Sequence, residues 1–158
     1  MSPASDSGTG GRRAEGLPDI GRQVANFRQS RLARQTATAE DYVELIADLI
    51  AAQGEARAVD IARRLGVSHA TVNKTLARLQ RDGLVMTRPY RAVFLTEAGQ
   101  LLAERSRIRH GSVVRFLRCL GVSEEMAEAD AEGIEHHVSE ETLAAFARFI
   151  RQQDAPKA

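Results

Sequence analysis

The sequence holds a single cysteine, Cys119, and no tryptophan. One thiol excludes an internal disulfide and any zinc site built from several cysteines. Aromatic residues make up only 4% against 43% hydrophobic residues, so a core must be filled mainly by Leu, Ile, Val and Ala. No apolar run approaches the roughly 18 residues that a membrane-spanning helix needs. The N-terminus carries Gly, Ser and Arg but no apolar h-region, so no secretory signal is expected and the cytoplasm is the expected compartment. Net charge is nearly missing as well, at +1 over 158 residues. That length allows one domain of ordinary size or two small ones.

The charge is unevenly spread. Residues 1–36 carry six arginines against three acids, and residues 55–96 carry eight Lys or Arg against three acids. From residue 101 onward ten acids face eight bases. A local basic excess suits a polyanion partner better than the total suggests.

Residues 1–20 are Gly, Ser, Pro and charge, too poor in apolar surface to repay ordering, and are expected to be disordered. Residues 21–35 are basic, with Val24, Phe27 and Leu32 loosely spaced as on a helix. They read either as an amphipathic arm against DNA or as a solvated tail. The first firm helix is expected from about Ala39 to Gln53, with Thr38 as its N-cap and Glu40 and Asp41 in its first turn. Tyr42, Leu45, Ile46, Leu49 and Ile50 repeat at helical spacing and form its core face. A short helix follows over about 58–65, then the turn Gly66-Val67-Ser68, with Ser68 capping a helix over about 69–81. That helix turns Val72, Leu76 and Leu79 inward. Residues 84–87 and 92–95 read as two short strands around an Arg88–Arg91 loop. Two helices joined by a Gly-containing turn and followed by a hairpin make a winged helix-turn-helix.

Thr96 is expected to cap a long helix over about 97–120, and Ser123 to start another over about 124–137. Ser139 caps the last, to about Gln152. Gly133 inside the second of these costs about 1 kcal/mol relative to Ala, and close helix packing is its expected reason. Cys119 is expected to be a small core residue. The fold class is therefore mostly α: an N-terminal winged helix-turn-helix with a small β-hairpin wing, then an all-α domain. The expected divisions are an extension over 1–36, disordered or partly helical, a DNA-binding domain over 37–96, a helical domain over 97–153 and a tail over 154–158.

Two groups of side chains carry chemistry. On the outward face of 69–81, Ser68, Thr71 and Lys74 are candidates for base edges in the major groove. Arg78, Arg81, Arg88 and Arg91 suit phosphates, which fix position rather than sequence. The second group centres on Glu132, Glu135 and His136, at i, i+3 and i+4, which share one helix face. Like charges so placed repel, and a divalent cation would relieve them. Asp41 and Glu44 (again i, i+3) and His110 complete a hard set of four carboxylates and two imidazoles, suited to Mn²⁺ or Fe²⁺. A solvated acidic face would also produce these letters, and spacing alone does not bring three helices together. His137 is left beside this group or at an interface, and His69 on the DNA side.

The motifs Asp41-Tyr-Val-Glu44, Gly66-Val-Ser-x-x-Thr-Val72, Arg109-His110 and Glu132-Gly-Ile-Glu-His-His137 resemble the manganese transport regulators, the manganese-responsive branch of the diphtheria toxin repressor family. The resemblance covers about residues 37–152. It implies a homodimeric repressor that binds a palindromic double-stranded operator through its winged helices and dimerises through its C-terminal helices. It implies that Asp41 and Glu44 join His110, Glu132, Glu135 and His136 around metal. The iron-responsive branch has Met in place of Asp41 and Cys in place of Glu132, so carboxylates at both positions point to Mn(II), two ions per subunit. A counterpart of the third, SH3-like domain of the iron branch is not expected, and the Arg-rich extension has no match in the shortest members. The resemblance implies no enzyme and no membrane partner. The competing readings are a winged-helix regulator answering to iron or to a small organic ligand, and a dinuclear metallohydrolase.

Overall fold

The structure, a computed structural model, describes residues 19–87 and 92–154. Its first helix is far longer than the apolar pattern predicts. α1 runs unbroken over Ile20–Gln53, 34 residues, or about 51 Å at 1.5 Å per residue. Asp19 is its N-cap, its carboxylate accepting from the Arg22 amide at 3.2 Å. Thr38 therefore lies inside the helix, where its hydroxyl donates to the Arg34 carbonyl at 3.0 Å. This corrects the expected start. Alanine, arginine and glutamine between 25 and 39 are strong helix formers, and no Pro or Gly interrupts them. The helix therefore continues although its first half buries almost nothing. Ile20, Val24, Phe27 and Leu32 all stay exposed. Of residues 1–20, expected to be disordered, Asp19 caps α1 and Ile20 begins it, and of the expected tail over 154–158 Asp154 ends the last helix; residues 1–18 and 155–158 lie outside the described residues.

From Ala39 the same helix enters the core. Tyr42, Val43, Ile46 and Leu49 are buried, and Leu45 and Ile50 pack at the margin. Gly54, at φ +80°, ends it. α2 spans Ala58–Leu65 and α3 spans His69–Arg81. Ser68 caps α3 as expected, accepting from the Thr71 amide at 3.1 Å. Ile61, Val72, Leu76 and Leu79 close the core over α1. The antiparallel strands β1 (Val85–Thr87) and β2 (Val93–Leu95) pair Val85 with Leu95 and Thr87 with Val93. Alternation buries Val85, Val93 and Leu95 and exposes Met86 and Phe94, as a one-sided hairpin requires. Thr87 Oγ1 donates to Gln80 Oε1 at 2.6 Å, tying the hairpin to α3.

α4 spans Glu97–Cys119 and starts against the hairpin. The Thr96 hydroxyl caps it, accepting from the Gly99 amide at 3.1 Å while donating to the Gly83 carbonyl at 2.6 Å. Gly99 is obligatory here, since a Cβ would stand 2.1 Å from the Leu84 carbonyl oxygen. α5 spans Glu124–Ile134 and α6 spans Glu140–Asp154, with Ser123 and Ser139 as their caps. Buried Ala127 and Ala131 let α5 approach α4 closely, and Phe116 of α4 stacks on Phe146 of α6 at 3.9 Å between centroids. α5 ends three residues earlier than expected: Glu135 is its C-cap, and 135–137 form a turn. The expectation for Gly133 fails, because a Cβ there would meet nothing within 4 Å, and nothing in the structure explains the glycine. Cys119 is half-buried at the end of α4 rather than in the core.

Candidate metal centre and DNA-reading surface

Glu40, Asp41 and Glu44 leave the middle of α1 on the side that meets α4 and the turn after α5. Asp41 sits near the middle of its helix, so no helix-end dipole holds it. His136 is what it faces, with Asp41 Oδ1 3.4 Å from His136 Nε2. The same Nε2 lies 3.6 Å from Glu135 Oε1. Glu135, only 3% exposed, sets its other oxygen 2.7 Å from His110 Nδ1. Glu132 lies 3.8 Å from that Nδ1 and is well exposed. Glu44 joins from α1, within the fields of Glu132 and His110, while the buried Ser106 hydroxyl of α4 has no hydrogen-bond partner among the described residues. Five of the six sequence-predicted metal residues therefore form one chain of contacts across α1, α4 and the end of α5, and Glu44 adjoins it through the charges of Glu132 and His110. Among the described residues, no three His, Cys, Asp or Glu side chains are already posed to hold an ion. The imidazoles face carboxylates instead.

The electrostatics record the crowding. Burial pushes Asp41 up from the ordinary carboxylate range; His136 opposes this, and Glu132 and Glu40 add to it. Burial likewise raises Glu44 and Glu135, against Ser106 and His110 respectively. Burial alone would lower His110, but contacts with Glu128 and Glu135 and the charges of Glu135 and Glu132 outweigh it, and the imidazole stands above its usual value. Asp41, Glu44 and Glu135 thus each resist ionisation, as expected for carboxylates collected in a half-buried space. Four oxygen acids and two imidazoles, with no thiolate among them, fit a divalent ion of the Mn²⁺ or Fe²⁺ kind.

Sequence reasoning missed three participants. Glu40 is 3% exposed. Its Oε1 lies 2.5 Å from Arg109 Nη2 and its Oε2 2.8 Å from His136 Nδ1. The Arg109 contact is an ion pair without hydrogen-bond alignment, and Arg109 Nε is buried without an acceptor. Burial would lower the Arg109 guanidinium, but the Glu40 carboxylate holds it above its ordinary value. The signal for Glu40 was its register: it falls three residues before Val43, inside the apolar stripe of α1. Glu128, the third, lies 2.8 Å from His110 Nε2. His137 is exposed; the charge contacts of the cluster run through His110 and His136.

On the other half, Ser68, Thr71, Lys74 and Arg81 are exposed along α3, and Arg78 is half-buried. Ser68 and Thr71 share a hydroxyl contact of 2.9 Å as part of the cap. Arg78 lines a groove with Leu32 and Gln35 of α1. Arg88 and Arg91 lie outside the described residues. His69 Nδ1 lies 3.2 Å from the Asn73 amide nitrogen, and both line an open groove of about 1440 Å³ between α3 and the hairpin, with Gln80 and Phe94.

The chain matches two family models. Residues 34–93 match the "Iron dependent repressor, N-terminal DNA binding domain" and residues 96–155 its "metal binding and dimerisation domain". It is 54% identical over 139 residues to the transcriptional regulator MntR of Escherichia coli O6:H1, covering 88% of this chain and 90% of that one. It is 37% identical over 125 residues to the HTH-type transcriptional regulator MntR of Bacillus subtilis strain 168, covering 77% and 88%. Among solved structures, a manganese-dependent transcriptional repressor in complex with manganese is similar at TM-score 0.64 and 30% identity, over 72% of this chain and 52% of that one. The manganese regulator SloR is similar at TM-score 0.63 and 26% identity, over 72% and 53%. The chain spans about half the length of those two solved chains. No helix among the described residues is long and apolar enough to cross a membrane. Matched by both domain models and more than half identical to curated regulators along most of their length, the chain belongs to the iron-dependent repressor family, the diphtheria toxin repressor family, among its manganese transport regulators.

Proposed function

We propose that this chain is a cytoplasmic, Mn(II)-activated repressor of manganese uptake genes, binding a palindromic operator as a homodimer, with two ions per subunit. The observation that carries the reading is the contact chain that links Asp41, on a helix of the DNA-binding half, to His136, Glu135, His110 and Glu132 in the second half, with Glu44 of the same helix within the fields of Glu132 and His110. A bound cation supplies positive charge where burial now opposes ionisation of Asp41, Glu44 and Glu135. These residues then draw α1 toward α4 and the turn after α5. Restricting that motion in both subunits holds the two α3 helices near the spacing of successive major grooves, about 34 Å. Less ordering entropy remains to be lost on DNA, so affinity rises.

Oxygen donors at Asp41 and Glu132 favour Mn(II) over softer ions, and Cys119 lies at the far end of α4, outside the cluster. Mn²⁺ is weakest in the divalent affinity order, so selection rests on geometry and supply: Zn²⁺ binds well and activates poorly. Self-association is supported by Leu101, Ile108, Leu120 and Met126, exposed by 51–61% in the second half. Lys74 and the base-facing turn of α3 read the operator, and Arg81, with Arg78, Arg88 and Arg91, positions it.

The test is fluorescence anisotropy on promoter DNA of a manganese-uptake gene from the same genome, first with chelator, then with Mn²⁺, Fe²⁺ and Zn²⁺ in turn. Mn²⁺ is expected to give the tightest binding. Binding that ignores metal overturns the sensor, and turnover of phosphoesters in Mn²⁺ would make the cluster a hydrolytic one instead.

A further inference from the structure

Each imidazole of the cluster has two unlike sides. His110 turns Nδ1 toward Glu135, at 2.7 Å, and Glu132, at 3.8 Å. Its Nε2 points away from them, 2.8 Å from Glu128. His136 turns Nε2 toward Asp41, at 3.4 Å, and Glu135, at 3.6 Å. Its Nδ1 points away, 2.8 Å from Glu40. So one nitrogen of each ring lies among the metal carboxylates, and the other is held by a carboxylate outside that set. The pattern is mirrored: Nδ1 faces inward in His110, Nε2 in His136.

A neutral imidazole has one N–H and one lone pair. A carboxylate that takes the N–H of one nitrogen leaves the lone pair on the other, fixes the ring plane and makes the ring a stronger ligand. Glu40 is itself fixed, because Arg109 holds its remaining oxygen. With both oxygens engaged and 3% exposure, it is set to orient a ligand rather than to become one. Glu128 stands one helical turn before Glu132 on α5, so both project toward α4.

We propose that Glu40 and Glu128 are positioning residues of the metal centre, holding His136 as the Nδ1–H form and His110 as the Nε2–H form, so that His136 binds Mn(II) through Nε2 and His110 through Nδ1. This inference rests on the proposed metal site and adds to it two acids from outside the six ligands.

Two measurements test it, neither of which involves DNA. The first is long-range proton–nitrogen NMR of histidine-labelled full-length protein loaded with diamagnetic Cd(II). The metal-bound resonance is expected at Nδ1 of His110 and at Nε2 of His136; the reverse assignment for either ring overturns the proposal for that ring's partner. The second is Mn(II) affinity, read from the electron paramagnetic resonance signal of free Mn(II). Glu128 is more than half exposed on its side chain, so its variants should fold. Glu128→Ala is expected to lose about 10–100-fold in affinity, and Glu128→Gln, which keeps an oxygen acceptor, to recover most of that loss. Glu128→Ala binding within twofold of the unaltered protein overturns the role of Glu128. If the unaltered protein does not bind Mn(II), the metal reading falls and takes this inference with it. If it binds with the nitrogens reversed, only this inference falls.

Discussion

Replacing Arg109 by Met should destabilise the metal-free protein more than any surface change. The guanidinium is the near charge to Glu40, 2.5 Å away, with side chains 21% and 5% exposed. Removing one partner of a buried pair costs about 3–5 kcal/mol, because the other charge is left uncompensated. Glu40 keeps the imidazole N–H of His136 as a donor, and Arg109 is not fully enclosed, so the lower end of that range, about 3 kcal/mol, is expected. In a chain of this size 1 kcal/mol moves Tm by about 2–4 °C, so the drop should be about 6–12 °C. Methionine retains the packing of the aliphatic stem, which assigns the loss to charge. The assay is urea unfolding in chelator at one fixed protomer concentration, since the stability of an oligomer depends on it. The double variant Glu40→Gln with Arg109→Met removes both charges and keeps an acceptor for His136, so it should be more stable than Arg109→Met alone. A loss below about 1 kcal/mol in Arg109→Met, or a double variant no better than the single, would refute the assignment of a buried, mutually dependent pair.

The other expectations concern metal choice, DNA reading and packing. Glu132→Cys places a soft thiolate beside His110, and DNA binding by anisotropy should then answer to Fe²⁺ or Co²⁺ more than to Mn²⁺; an unchanged Mn²⁺ preference counts against the role given to Glu132. Lys74→Ala should weaken operator binding far more than binding to random DNA in the same salt, and equal losses would make Lys74 a phosphate contact. Gly99→Ala drives a methyl to 2.1 Å from the Leu84 carbonyl oxygen, and the forced shift of α4 against the hairpin should cost about 1–3 kcal/mol in urea unfolding. Unaltered stability would mean that this junction yields freely.

The order of helices, hairpin and caps was legible because each rests on local chemistry. Ser68, Thr96, Ser123 and Ser139 each hold an amide three residues on, and the inward residues of α3 repeat at helical spacing. The start of α1 was not legible for a related reason. Apolar periodicity reports where a helix is buried, and residues 20–36 of α1 are helical without being buried. Thr38 had the right side chain for a cap, but strong helix formers on its N-terminal side carried the helix through it. The end of α5 was overdrawn because its C-cap Glu135 keeps helical dihedrals, φ −57° and ψ −32°, and Glu135 and His136 still reach the same cluster.

The acids and imidazoles proposed to hold metal were legible as letters and their spacing; their neighbours were not, and the difference has a physical cause. A ligand set needs several like acids close together, which leaves a pattern in the sequence. An acid that orients a single imidazole from another element leaves none: Glu128 is one acid among several on an acidic helix. Glu40 is the instructive case. It reads as a first-turn acid only if the helix begins at Ala39. Once the helix is known to start nineteen positions earlier, no helix terminus stabilises it, and its register with Val43 puts it in the core stripe. A carboxylate in that position must find a cation and a donor or remain neutral. Arg109 supplies the cation and His136 the donor, both from the second half of the chain. The burial that hides Glu40 from a motif search is thus what ties the two halves together.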